Sequence, residues 1–419
     1  MSEHQPFDGW TRDDLAALVR EYLLAGHLID RAGMPHLIGP YGRDGMAAVA
    51  IDEWMGASPV YTRRMQRAMG FVGDDVTTVF KGMQLDIGAP PQFMDFRYTV
   101  HDTDHGEFQL AHCGALMDVE PMGEDFVTAM CHHIEDPTFD ATALATHAGA
   151  QVRPVHRPPR VPADRHPHCH WTLEIDRSVP QRDDPDVTRR IGGSLAASTD
   201  FPPPAPSSDG GWNDYSGPLD PDLRLESFSR AALVTLAAEV NLQGQLLAMS
   251  FMAAVEDRHG HGAAVDVGVR QFTGVAGVVA GRLAALLDAP RNLDGVAQVL
   301  ALHPGLAPAG YVDVRVHRTA DSVLVDLLDC PALHEEGVDS WAGLLAAGSD
   351  LPLAAAAHAV DPRTVVRRTD LSEMLERGAP QADDAVVVRW EFTDGAAPGP
   401  ELPEVTLTRF STGADFVLQ

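Results

Sequence analysis

The side chains best suited to chemistry lie in the first half of the chain, in three groups. They are His101, His105, His112 and Cys113; Cys131, His132, His133 and Glu135; and His166, His168, Cys169 and His170. Imidazole and thiolate ligands suit zinc, iron or copper. None of the spacings is a zinc-finger signature, so the signal is the co-clustering. The expected cofactor is a divalent transition metal, zinc or iron, held by Cys113, Cys131 and His132 together with His168, Cys169 or His170. Such an ion would make hydroxide from bound water or polarise a carbonyl or C=N bond. Glu107 or His101 would serve as general base, and Arg97 would orient a substrate carboxylate. The function expected from these residues is a metal-dependent hydrolase or lyase acting on a small carboxylated or cyclic substrate. A second reading is a non-catalytic module that senses a ligand, haem or a metal. A third is a metal-free thiol nucleophile at Cys131 or Cys113, paired with His132 or His112. Against all three stands the bland reading that buried cysteines are small hydrophobes and that Arg97 forms a structural pair with Asp95.

The elements that must position these groups occur twice. At an offset of about 218 residues, the stretch 18–113 matches 236–330: Gly42 with Gly260, Trp54 with Phe272, Gly56 with Gly274, Arg64 with Arg282, Asp95 with Asp313, and Cys113 with Cys330. Where the first copy has Cys131, His132, Cys169 and His170, the second has Ala356, Ala357, Val388 and Arg389. The site is therefore expected in the first copy, with a structural or regulatory role for the second.

Within each copy the apolar period changes from helical to alternating. Helices are predicted over 12–31, 43–56, 59–70 and 74–84, with Gly33 and Pro35 interrupting the first pair. A hairpin follows over 94–113, then a helix over 122–134 and a third strand over 168–176. The alternation places His101, Glu107, Cys113, His168 and His170 on one polar wall. The fold class is α+β: two tandem repeats, each a helical bundle followed by a small antiparallel sheet, forming an intramolecular pseudo-dimer. Residues 1–179 make the first repeat. Residues 180–222, rich in Pro, Gly and Ser, read as an extended linker, and 223–419 as a second, degenerate repeat plus a tail whose alternating segment 405–410 could add an edge strand. Leu324, Leu328, Val387 and Val388 make the second sheet more apolar, which suggests that it docks on the first repeat and walls its site.

Sixty acidic against 31 basic residues give a formal charge of −29. That argues against nucleic acid and anionic membranes as partners and leaves a small-molecule substrate, with a homo-oligomer possible. No run of 18 apolar residues appears, and the start is polar and acidic, so a cytoplasmic location is expected. Four cysteines are not a disulfide framework in such a chain.

With these residues in view, the pattern resembles the family named after L-2-amino-thiazoline-4-carboxylic acid hydrolase. The features shared are a Trp-bearing helix (Ile51-Asp-Glu-Trp54), a strand ending in His112-Cys113 (Asp329-Cys330 in the second copy), and a Cys-led helix, Cys131-His-His-Ile-Glu135, closing at Asp-Pro. A Cys-x-Trp strand, Cys169-His-Trp171, completes the set. The resemblance covers about residues 12–176. It implies a cysteine-containing small-molecule site, hydrolytic in character, in an α+β domain. The tandem arrangement and the abundance of histidine depart from the family pattern, so the thiazoline substrate is not carried over.

Overall fold

A computed structural model describes residues 7, 9–180, 183–207, 209–369 and 385–409. The first repeat opens with α1 (Arg12–Ala68), started by a capping box between Thr11 and Asp14. α2 (Val76–Gln84) is capped by Asp75, whose side chain accepts from the Thr78 amide. The sheet follows: β1 (Met94–Val100), β2 (His105–Cys113), β3 (Ala150–His156) and β4 (Cys169–Ile175), in the order β1-β2-β4-β3, every pair antiparallel. Between β2 and β3 run α3 (Gly114–Val119), α4 (Glu124–Thr128), a π turn over Ala129–Ile134, and α5 (Glu135–Leu144), which packs on α1 and β3.

The second repeat uses the same plan. α8 (Arg230–His259) and α9 (His261–Leu286) match the two arms of α1, and α10 (Leu293–Ala301) matches α2. β5 (Val314–Arg318), β6 (Ser322–Leu328), β7 (Thr364–Thr369) and β8 (Val386–Asp394) repeat the sheet order as β5-β6-β8-β7. The tandem α+β pseudo-dimer expected from sequence is what the structure shows.

The break in α1 falls at Gly42 (φ 70, ψ 175), not at Gly33 or Pro35; Gly260 (φ 86, ψ 160) does the same between α8 and α9. Left-handed backbone of this kind favours glycine. Gly33 is instead a close-packing position: a Cβ there would lie 2.6 Å from the Phe251 ring of the other repeat.

The stretch expected to be an extended linker holds two helices, α6 (Asp186–Gly192) and α7 (Leu195–Ser198). Pro185-Asp-Val-Thr188 repeats as Pro403-Glu-Val-Thr406, which lies in the C-terminal helix Pro403–Thr408. Val187 and Ile191 seat on Gly56, while Glu404 and Thr408 seat on Gly274. The two helices are equivalent closing pieces of the two repeats. Residues 405–408 are thus helical rather than an edge strand, because Val405 packs onto Gly277 of α9; Phe410 lies outside the described residues.

The repeats dock through helices. α1 lies against α8 and α9, and one apolar core runs through Leu18, Leu28, Leu236, Leu246 and Phe272. Two ion pairs cross the interface reciprocally: Arg64 with Glu239 (3.0 Å), and Arg282 with Glu21 (3.0 Å for Nη2). Since Glu239 and Arg282 are the repeat-two counterparts of Glu21 and Arg64, this is the pattern of a twofold contact, residue i meeting j and j meeting i. Among the described residues the second sheet does not dock on the first. Each buries its inner face on its own repeat, as Phe108 and Trp171 do on Phe80 and Phe139. By length and composition α9 could cross a membrane, but 67% of its most apolar window is buried inside the protein.

Candidate functional site

On the outer face of the first sheet, His101, Glu107 and His170 meet as the alternation implied. Glu107 Oε2 lies 3.0 Å from His170 Nε2 and 3.7 Å from His101 Nε2. His156 stands beside His170, with ring centroids 6.1 Å apart. The face is open: His101 is half exposed.

Cys113 does not join that wall. Met94 pairs with Cys113 and Asp95 with His112, but Phe96 pairs with Leu110, so Ala111 is an extra residue in β2. A bulge of this kind reverses the side-chain alternation beyond it. Cys113 turns inward, and its sulfur caps α3 by accepting the Leu116 amide at 3.3 Å. His168 is also withdrawn. Only 3% exposed, it accepts the Cys113 amide on Nδ1 at 3.1 Å, which puts the ring proton on Nε2. Burial, with Arg160 and His112 beside it, lowers its pKa to about 4, so the ring is neutral at pH 7. His132 points elsewhere and donates through Nε2 to the Pro158 carbonyl at 2.7 Å.

Cys113, Cys131 and Cys169 share the apolar core beneath the sheet with Phe108 and Trp171. Burial, with Glu135 nearby, pushes the Cys113 thiol up to about 12 and raises Cys131 and Cys169 well above the usual thiol range. Glu135 itself is raised to about 8 by burial, only partly offset by Arg157. A thiolate is what binds a metal or attacks a carbon, and this environment keeps all three as thiols.

Among the described residues, no group of three or more His, Cys, Asp or Glu side chains is arranged to hold a metal ion. That overturns the zinc or iron centre expected at Cys113, Cys131, His132, His168, Cys169 and His170, and with it the metal-dependent hydrolase or lyase and the metal-sensing alternative. The bulge turns Cys113 into the core it shares with Cys131 and Cys169, the Pro158 carbonyl holds His132, and His170 stays on the outer face with Glu107, so the six do not converge on one point.

A larger concavity, of about 900 Å³, lies elsewhere, where the β1 edge of the first sheet meets the entry to the second repeat. Arg97 lines it, bonded to Asp95 at 3.0 Å and 3.6 Å from Asp222. Arg20, bonded to Glu226 at 2.6 Å, and Arg282 with its partner Glu21 also line it, as does Arg224. Leu23, Met94, Phe96 and Leu225 supply apolar surface. Of these, sequence reasoning singled out only Arg97. Arg282 carried a signal, since it aligns with Arg64, but the sequence analysis used the pair only as a landmark of the repeat.

Comparison with protein-family models, with curated proteins and with solved structures gave no match. The resemblance to the thiazoline-carboxylate hydrolase family is therefore not upheld. Its motif cysteines form part of a packed core with no metal-holding cluster.

Proposed function

We propose that this protein binds a small carboxylate-bearing molecule, without a metal, in the groove between the β1 edge and the second repeat. The observation that carries the reading is the groove itself. Its volume of about 900 Å³ falls in the range of roughly 300–1,000 Å³ typical of small-molecule sites, and four guanidinium groups stand on its walls. Arg97 is the residue assigned to the ligand carboxylate. Its side chain is 52% exposed, and its outer partner Asp222 is 82% exposed and weakly held at 3.6 Å. A ligand carboxylate can replace Asp222 there in a bidentate contact, while Leu23, Met94 and Phe96 cover an apolar body. Both repeats line the groove, so the pseudo-dimer is what completes it.

The test is calorimetry and thermal shift on the full chain with acetate, succinate and benzoate. At least one should bind saturably, and Arg97→Gln should weaken it at least tenfold with the fold intact. No saturable carboxylate, or an Arg97→Gln protein of unchanged affinity, overturns the reading.

A further inference from the structure

The groove runs along the free edge of a strand. β1 is an outer strand of the first sheet and pairs with β2. Successive side chains of a strand leave by opposite faces, so a hollow over one face would touch alternate residues. Here Met94, Asp95, Phe96, Arg97 and Tyr98 all line the groove, which places it beside the strand rather than over a face. Pro221 to Glu226, again consecutive, form the opposite wall. The groove is a slot between two lengths of extended chain.

The register shows which backbone groups face the slot. The His101 amide donates to the His105 carbonyl at 3.0 Å. In this antiparallel pair Thr99 and Arg97 therefore bond to β2, and Phe96 and Tyr98 turn their N–H and C=O groups outward. Pairing on the other side of β2 agrees, since the Asp104 and Leu110 carbonyls accept the Ile175 and His168 amides at 2.9 and 2.8 Å. Among the described residues, the outward groups of Phe96 and Tyr98 meet no hydrogen-bond partner. A free edge is a template for another strand, and proteins usually blunt it. The far edge of the same sheet is blunted: β3 carries Pro154 and a register shift between Pro154 and His156. β1 carries no proline.

The twofold-related place in the second repeat already holds a peptide. Arg282 and Glu21, on the floor of the slot, correspond to Arg64 and Glu239. The chain's own segment 195–201 lies over that second pair. The Ala197 carbonyl accepts from Arg64 at 2.8 Å, and the Phe201 ring lies 5.7 Å from the Arg64 guanidinium. The Leu195 and Ala196 amides donate to the Glu335 carboxylate at 2.9 and 2.8 Å. With this cover Arg64 and Glu239 are each 6% exposed, whereas Arg282 and Glu21 are 29% and 17% exposed. We propose that the ligand of the groove is an extended peptide that adds a strand to β1, bonding through its backbone to Phe96 and Tyr98 and through a carboxylate to Arg97. The proposal rests on the groove being the carboxylate site described above, and it names the class of ligand. Leu23 and Leu225, which line the slot, offer apolar surface to the side chains of the added strand.

The test adds an acetylated hexapeptide of alternating valine and threonine, with a free carboxyl terminus, to the full chain at pH 7. Backbone amide exchange is followed by NMR on deuterated protein, and affinity by calorimetry. Saturating peptide should slow exchange of the Phe96 and Tyr98 amides at least tenfold and leave those of Arg97 and Thr99, already bonded to β2, unchanged. Two isomers of the peptide, N-methylated at its odd or at its even residues, should differ at least tenfold in affinity, because only alternate residues of the added strand face β1. Absence of saturable peptide binding, unaltered exchange at Phe96 and Tyr98, or equal affinity of the two isomers overturns the proposal. So does protection of those amides by raised protein concentration alone, with dimers in sedimentation, which would make the edge a contact between two copies. The two readings of the groove fail separately. Acetate or succinate binding that Arg97→Gln weakens, with no protection by the peptide, keeps the carboxylate site and removes the strand. Protection of undiminished strength in Arg97→Gln keeps the strand and overturns the role of Arg97.

Discussion

Removing Arg64 should cost several times more than removing Arg282, although the two occupy equivalent positions. Both cross from one repeat to a glutamate of the other. Arg64 and Glu239 are each only 6% exposed; the bond is bidentate, at 3.1 and 3.0 Å, and Arg64 also donates to the Ala197 carbonyl at 2.8 Å. Arg282 and Glu21 are 29% and 17% exposed. Breaking a buried pair from one side strands a charge and costs about 3–5 kcal/mol, whereas exposed pairs contribute about 1 kcal/mol or less. Arg282→Ala, between those limits, should cost about 1–2 kcal/mol. For a chain of this length the unfolding entropy is about 0.9 kcal/mol/K, so Arg64→Ala should lower the melting temperature by about 3–6 °C and Arg282→Ala by about 1–2 °C. Burial already raises the Glu239 pKa, and Arg64 opposes that rise. Without Arg64 that opposition is gone, the carboxyl is protonated more readily, and the loss should shrink as pH falls. The double variant Arg64→Met/Glu239→Leu should recover most of the stability. Circular dichroism and urea unfolding measure each value. Equal effects at the two arginines, or no recovery in the double variant, would refute the reasoning from burial.

Two further outcomes follow from the thiol core. Iodoacetamide should leave Cys113, Cys131 and Cys169 unmodified in the folded chain at pH 8 and label them in urea, because burial holds them as thiols; rapid labelling of native protein, read by mass spectrometry, would show the core to be open. Glu135→Gln should raise stability at pH 7 by about 2–3 kcal/mol. The folded acid keeps its proton to about pH 8, while the unfolded one ionises near its ordinary value of 4.5. Its contribution is therefore fully present below about pH 4.5 and is lost as pH rises to 8, a slope that Gln removes; urea midpoints across that range would show it.

The duplication and the change of period were legible because each is a pattern of residue type repeated along the chain. The β2 bulge was not. Alternation reads correctly from Glu107 to Leu110, and one extra residue at Ala111 then inverts Cys113, a choice made by pairing with β1 rather than by β2 itself. Gly33 misled in the same way. Its role is to admit Phe251 from the other repeat, a tertiary contact that local propensity does not register. The helices in 180–222 were hidden by their Pro- and Gly-rich flanks, though Pro185-Asp-Val-Thr188 already matched Pro403-Glu-Val-Thr406. For the site, the weight fell on Cys, His, Glu107 and Arg97, and the other arginines of the groove, Arg20, Arg224 and Arg282, were missed because they come together only when the second repeat meets the β1 edge.

The asymmetry between the copies has a physical logic that a homodimer of the first repeat could not use. In a symmetric dimer each copy would carry its own buried Asp30 and Glu53, and the destabilisation would be counted twice. In a tandem chain one copy can shed those charges and become a better core: Ala248, Met249 and Val279 replace Asp30, Arg31 and Tyr61, and all three apolar replacements are buried, Val279 at 2% exposure and the others at 0%. The interface remains because it is built from α1, α8 and α9, and because Arg64–Glu239 and Arg282–Glu21 are preserved on both sides. The apolar packing of the second copy offsets the cost of burying the Asp30–Glu53 carboxyl pair in the first. The second repeat is therefore neither a spare domain nor a duplicate site: through Gln243, Gln271 and Phe251 it is the rigid wall against which the polar interior of the first repeat is held.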